Sequence, residues 1–357
     1  MILIFNEKLL KMTVRYADVC CGLTWGDEGK GKIVCQLAKS GKYDYVCRWA
    51  GGNNAGHTVV VNGKKYITHL IPSGVFYGVK SVIGQGCVVN INAFFEEIEY
   101  LSRNGFNTSL IKISPNTHVI TDEHIEDDRR NYGHQGTTCR GIAPCYRDKY
   151  GRTGKQVKDF DEFREYLWDG KLYGNVLCEG AQGMWLDIDF GNYPYVTSST
   201  TLPYGACSLG FPPQLINRIY GACKIYDTRV GTDPDFSEDL MKDDDLYNMA
   251  LMGNEYGVST GRMRKTNWLN MDKLIMSVNI SGTTDLIVSK VDVMDRMGLY
   301  KLYYKNELLN FNNLEDMKVF MNGVMGSECK LLTRILYSGD PEVVYGLIDE
   351  DNIYNTI

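Results

Sequence analysis

The sequence is short of several features that would have fixed its class at once. No apolar run among its 357 residues approaches the ~20 that a membrane helix requires. The opening Met1-Ile2-Leu3-Ile4-Phe5 is broken by Glu7 and Lys8, and no small-residue cleavage site follows it, so it does not read as a signal peptide. Residues 1–11 read instead as an N-terminal extension ahead of Met12. The 11 cysteines are scattered, odd in number and never spaced as CxxC. Neither a disulfide scaffold nor a structural zinc site is expected from them, and reduced thiols in a cytoplasm are the better reading. A surplus of positive charge is missing too: the net charge of −6 argues against a general grip on nucleic acid. Repeats, low-complexity tracts and Pro/Ser-rich linkers are absent, which favours one domain over residues 1–357.

What is present is an alternation of short apolar runs with helical patterns. Residues 14–21 read as a first strand running into a Gly-rich turn, and residues 29–40 as a helix. Further strand-like runs fall at 45–48, 58–61, 81–83, 111–113, 176–178, 219–225 and 286–291, with helical patterns at 93–104 and 159–167. That order indicates an α/β fold with a large, mostly parallel central sheet flanked by helices. The patterning weakens beyond Asn306.

Two segments carry chemistry. Gly22-Leu-Thr-Trp-Gly-Asp-Glu-Gly-Lys-Gly-Lys32 lies between strand and helix, where glycines let backbone amides approach phosphate and the helix N-terminus adds partial positive charge. It is P-loop-like without being a Walker loop, since no Ser or Thr follows Lys30. Asp27 and Glu28 inside such a loop imply a cation or a proton transfer, because bare carboxylates would repel phosphate. The second segment, Gly51-Gly-Asn-Asn-Ala-Gly-His-Thr58, places one of only five histidines in a turn suited to proton donation.

Together, and in this order, these segments resemble the adenylosuccinate synthetase family. The resemblance continues through His69-Leu-Ile-Pro-Ser-Gly74, Gly136-Thr-Thr-Cys-Arg-Gly-Ile-Ala-Pro144, Glu179-Gly-Ala-Gln-Gly183, Thr228-Arg-Val-Gly231, Ser259-Thr-Gly-Arg-Met-Arg264 and Lys290-Val-Asp292. It implies a carbon–nitrogen ligase that phosphorylates the 6-oxo group of a purine monophosphate with a nucleoside triphosphate, then lets L-aspartate displace the phosphate. By that resemblance Asp27, His57 and Gln182 are catalytic, and Asp27 and the Gly56 carbonyl hold Mg²⁺. Asn54, Ala55, Gly56, Thr138, Arg152, Thr197 and Arg262 would bind the purine monophosphate, with Arg152 reaching across a homodimer into the partner's site. Gly26, Glu28, Gly29, Lys30, Gly31, Arg264, Lys290, Asp292, Ser338 and Gly339 would bind the triphosphate. Val258, Ser259, Thr260, Gly261 and Arg262 would bind aspartate. A P-loop GTPase switch is disfavoured by Gly31-Lys32 after Lys30, and a binding-only relative by survival of the whole catalytic set.

The chain resembles the short form of the family, and four departures bear on its nucleotides. Cys35 stands where a carboxylate is usual, and Asp233 and Asp235 enter the loop after Gly231. Met263 interrupts an arginine run, and Tyr337-Ser-Gly-Asp340 only loosely matches the guanine-contact segment. These lean toward the phage-type branch, in which dGMP and ATP yield a 2-aminoadenine precursor. In that reading Asp233 and Asp235 are candidate acceptors for the purine 2-amino group. The alternative is IMP with GTP, and Asp292, whose carboxylate suits guanine, favours that donor.

Overall fold

Strands buried on both faces need unbroken apolar runs, and parallel strands joined by crossovers meet that condition. The computed structural model describes residues 13–54, 56–257 and 261–348, and its main sheet has eight strands. In chain order they are β1 (Val14–Gly22), β2 (Tyr45–Arg48), β3 (Lys80–Ile83), β4 (Ile111–Ile113), β5 (Gly174–Glu179), β6 (Ile216–Lys224), β7 (Asp285–Ser289) and β8 (Arg334–Ser338). Across the sheet the order is β8-β7-β6-β1-β5-β2-β3-β4, and every pairing is parallel. The expected α/β fold with a large parallel sheet is therefore observed.

Alternation along the strands sorts the core into layers. Tyr45, Cys47, Val176 and Cys178 pack on one face with Ala17, Val19 and Leu209. Val46 and Leu177, one residue out of step, pack on the other with Ile33, Val34 and Leu37 of helix α1 (Lys30–Lys39). Helices Met271–Ser281 and Leu314–Glu328 cover the β6–β8 end through Leu274, Val278, Met317, Met321 and Met325. All 11 cysteines are free, and nine are buried, where they serve as small apolar side chains. No helix among the described residues is long and apolar enough to cross a membrane.

Three local readings differ from the structure. The run at 58–61 is a strand, but outside the main sheet: it forms a hairpin, His57–Val61 with Lys64–Thr68, closed by Asn62-Gly63 at φ 52° and 74°. Residues 159–167 form two 3₁₀ turns, Val157–Asp159 and Asp161–Tyr166. Phe160, Phe163 and Tyr166 are spaced by three, which lines up one face of a 3₁₀ turn and not of an α-helix. The weakly patterned tail contributes the edge strand β8, whose partly exposed residues blur the apolar signal.

Candidate active site

β1 lies at the centre of the sheet. The chain leaves it through α1 to β2 on one side and later returns to β6 on the other, and the ends of strands about such a reversal are where α/β sheets bind ligands. The strands end in a row of polar residues held in register. Arg48 is opposite Glu179, Lys224 opposite Ser289, and Ser289 opposite Ser338. A cavity of about 840 Å³ opens above this row, with walls drawn from residues 25 to 341.

The loop between β1 and α1 is folded around its own glutamate. Glu28 is buried and accepts from the Thr24 amide (3.2 Å), the Thr24 hydroxyl (3.2 Å), the Gly26 amide (2.9 Å) and Lys30 Nζ (2.6 Å). Gly183 must be glycine here, since a Cβ would stand 2.4 Å from the Thr24 carbonyl and 2.5 Å from Glu28 Oε1. Burial alone would lower the Lys30 ammonium, but the Glu28 charge beside it raises it above its ordinary value. Asp27, next to Glu28, takes the left-handed conformation (φ 61°) and turns the other way into the cavity, 30 % exposed. No side chain caps α1 at Gly29, and Gly29, Lys30 and Gly31 line the cavity at the helix's positive end.

Across the cavity sits His57, 7 % exposed, with its Nδ1 on Glu179 Oε1. Glu179 also accepts from the Ser73 amide (2.7 Å) and the Ser73 hydroxyl (2.9 Å). Although burial works against it, the facing His57 and Arg48 hold the Glu179 carboxyl below its usual range. A carboxylate on Nδ1 leaves Nε2 as the nitrogen for chemistry; burial holds the imidazole below its ordinary value, and the Glu179 charge works against that shift. Behind this pair Arg48 is fully buried and donates to the His69 carbonyl, while Glu97 accepts from the amides of His69, Leu70 and Ile71. Gln182, also left-handed (φ 57°), reaches Asn54 Oδ1 at 3.4 Å. Gln182 Oε1, Thr58 Oγ1 and Thr197 Oγ1 are buried at the wall without a hydrogen-bond partner, which suits a polar ligand.

On the Asp27 side, Arg264 Nε donates to Asp27 Oδ2 (2.8 Å), and its Nη1 donates to Glu255 Oε2 (2.5 Å). Lys224 Nζ and Tyr226 Oη, each at 2.8 Å, complete the ring of donors on Glu255. Burial alone would raise that carboxyl; Lys224, Arg264 and Lys290 bring it down to about 2. At the far wall Lys32 Nζ donates to Ser338 Oγ (2.9 Å) and the Asp340 carbonyl (2.8 Å), tying α1 to the end of β8.

The cavity thus gathers Gly26, Asp27, Glu28, Gly29, Lys30, Gly31, Asn54, Gly56, His57 and Thr138 from the expected set. Gln182, Thr197, Arg262, Arg264, Lys290, Asp292 and Gly339 join them. Ser338 lies just beneath the wall, and Gly261 stands outside it. Arg152 is exposed at the C-terminal end of helix Ile142–Gly151, away from this cavity. Ala55, Val258, Ser259 and Thr260 fall outside the described residues. Sequence reasoning missed Arg48, Glu179, Lys224 and Glu255 as site residues. The first three share one signal, a charged residue closing an apolar strand.

The specificity departures land elsewhere than expected. Cys35 is buried in a core cluster with Val59 and Leu70, its thiol on the Ser73 carbonyl (3.8 Å), and does not line the cavity. Asp233 accepts from Trp25 Nε1 (3.0 Å) and Asn192 Nδ2 (2.8 Å). Asp235 accepts from Asn192 Nδ2 (2.7 Å) and pairs with Lys273. The expectation that these two carboxylates stand ready for a purine 2-amino group is corrected by their partners: they clasp the loop to Trp25.

A family model described as adenylosuccinate synthetase matches residues 19–173 and 164–315. The adenylosuccinate synthetase of Heliobacterium modesticaldum is 39% identical, over 80% of this chain and 79% of its own. That of Caenorhabditis briggsae is 38% identical, over 81% and 80%. Among solved structures, the fully ligated adenylosuccinate synthetase of Plasmodium falciparum superposes with TM-score 0.78 at 28% identity, covering 92% of this chain and 98% of that one. The cyanophage S-2L succinoaminodeoxyadenylate synthetase, bound to dGMP and dATP, superposes with TM-score 0.70 over 93% and 95%, and at 18% identity the likeness is one of fold.

Proposed function

The chain belongs to the adenylosuccinate synthetase family of carbon–nitrogen ligases, and from that premise we propose that it joins L-aspartate to C6 of IMP at the expense of GTP. The observation that carries this choice of acceptor over dGMP is the engagement of Asp233 and Asp235 by Trp25, Asn192 and Lys273. A purine 2-amino group would have to find another acceptor on the wall, and one left unpaired would cost about 1–3 kcal/mol. The relatives at 38–39% identity, all named adenylosuccinate synthetase, support the same reading.

In this mechanism the Asp27 carboxylate takes the purine N1 proton, and O6 attacks the γ-phosphorus as the bond to the β-phosphate oxygen breaks. His57, its Nδ1 held by Glu179, donates a hydrogen bond to O6 and offsets its developing charge. The aspartate amine then attacks C6, and the 6-phosphoryl group leaves as phosphate. Gln182 orients the 6-substituent with an amide that its own chain leaves partly unsatisfied. Mg²⁺ would be held by the Asp27 carboxylate and, as the family resemblance implies, by the Gly56 carbonyl; both residues line the cavity. When bound it neutralises charge on the transferring phosphoryl group. Walls drawn from residues 25 to 341 support treating the chain as one catalytic domain.

Aspartate-dependent phosphate release, crossing IMP and dGMP with GTP and ATP, tests the assignment. IMP is expected to exceed dGMP in kcat/KM by tenfold or more, about 1.4 kcal/mol at the transition state; a preference for dGMP overturns the choice of acceptor. The exposed Arg152 supports a two-fold homodimer in which it serves the partner's site. Mixing Arg152→Ala with His57→Ala chains should then restore activity through hybrid dimers, and mixed dimers without rescue count against it.

A further inference from the structure

Glu255 is wholly buried and touches no reacting atom in the proposed reaction, yet three donors converge on its carboxylate. Burying an ion costs several kcal/mol, and a well-packed apolar residue would serve stability as well. The reason for this charge is therefore sought in what it holds. Its shortest contact is with Arg264, whose planar guanidinium reaches Glu255 with Nη1 (2.5 Å) and Asp27 with Nε (2.8 Å). One rigid fork thus spans from a buried anion to the carboxylate at the phosphate loop. The backbone repeats the link, because the Arg264 amide donates to the Glu255 carbonyl (2.9 Å). A bridge between Tyr256 and Met263 and a bond from the Gly257 amide to the Arg262 carbonyl (2.8 Å) extend it. Glu255 and Arg264 therefore close the base of the loop that carries Arg262. Gly253 leaves the room this needs, since a Cβ there would stand 2.4 Å from the Tyr226 hydroxyl that donates to Glu255.

We propose that Glu255 is a positioning residue: it fixes Arg264 beside Asp27, and with it the base of the Arg262 loop, so that the triphosphate and aspartate subsites stand in register. The inference rests on the reading above that Asp27 and Arg264 serve the triphosphate. Because Arg264 is shared between two carboxylates, an incoming phosphate can draw the guanidinium from Asp27 while Glu255 keeps its root in place.

The test compares Glu255→Gln, Arg264→Met and the double variant in the full chain. A non-hydrolysable GTP analogue with Mg²⁺ is titrated by calorimetry, and KM values and Tm are measured alongside. Glu255→Gln should weaken analogue binding by about 10–100-fold, the usual effect of losing a residue that orients a ligand's contacts. KM for the triphosphate and for aspartate should rise more than KM for IMP. The double variant should bind no worse than Arg264→Met alone, because the two residues act as one unit. Parental binding by Glu255→Gln, or losses that multiply in the double variant, would overturn the proposal. If Arg264→Met itself binds like the parent, the triphosphate reading falls instead. Should Glu255→Gln fail to fold, the charge-balanced Lys224→Met/Glu255→Met pair makes the same comparison.

Discussion

The two arms of the cavity each set a carboxylate against an ionisable partner, yet they are built differently. On the His57 arm the residues come from strand ends and a short turn, and His57, Glu179 and Ser73 are all buried. On the Asp27 arm the carboxylate sits on a left-handed loop residue and stays 30 % exposed, and its partner Arg264 is shared with Glu255. The first arm is fixed before any ligand arrives, as a proton donor that must meet one oxygen requires. The second holds a cation that can change partners, as a site that must accept several negative charges requires. Rigidity and exchange are thus separated across one cavity.

The largest effect that can break this comparison is on turnover. Asp27→Ala and His57→Ala should each lower kcat by about 10²–10⁴-fold. Their stabilities should diverge: Asp27→Ala leaves Tm close to the parent, while His57→Ala empties a buried position and lowers it. Glu179→Gln should cost less in turnover, about 10–100-fold, since it acts through the imidazole. It should also destabilise by about 1–3 kcal/mol, as the Ser73 and His57 donors lose their charged acceptor. Equal Tm losses for Asp27→Ala and Glu179→Gln would show that the two arms are equally structural.

A buried carboxylate outside both arms sharpens the contrast through stability alone. Asp227 accepts from the Asn270 amide (2.9 Å), its other oxygen is buried without a partner, and burial pushes its carboxyl up to about 7. The folded value lies above the unfolded one, so the native state keeps a proton that the unfolded chain has released. Stability contributed this way is complete below about pH 4 and is lost as pH rises toward 7, at up to about 1.4 kcal/mol per unit. Thermal melts from pH 4 to 8 should show a decline that Asp227→Asn flattens, with little change in kcat. Parallel curves for parent and variant would remove Asp227 as the cause.

How much of this was legible beforehand follows the same divide. Short apolar runs alternating with helical patterns, and the Gly-rich turn after β1, revealed the parallel sheet and the phosphate loop, because both are local patterns. Asp27 and His57 stood out because their residue types were unusual for their turns. The pairing of Glu255 with Lys224 was not legible, since it joins positions 31 residues apart that only the fold brings together. Ordinary drift and function look alike for a single charge in a loop, which is how Asp233 and Asp235 came to be read as ligand contacts.

Those two residues give the smallest expected effect. Asp233 divides its oxygens between Trp25 Nε1 (3.0 Å) and Asn192 Nδ2 with the Asp235 amide (2.8 and 3.0 Å). Asp235 holds Lys273, whose ammonium lies 5.1 Å from the Trp25 ring centre and 4.6 Å from that of Trp185. Phe236 meets Trp25 edge-on at 4.9 Å, so Asp233 to Phe236 brace the phosphate loop from behind the wall, and Asp233 also faces the cavity-lining Arg229 at 3.7 Å. Asp233→Asn with Asp235→Asn should therefore loosen a brace and leave recognition alone. Stability should fall by about 1–2 kcal/mol, on the scale of one or two charge-assisted hydrogen bonds. The ratio of kcat/KM for IMP over dGMP should stay within about threefold of the parent, ~0.7 kcal/mol. A tenfold change in that ratio would mean that these carboxylates read the purine after all, and that the exposed arm extends further round the cavity than its hydrogen bonds indicate.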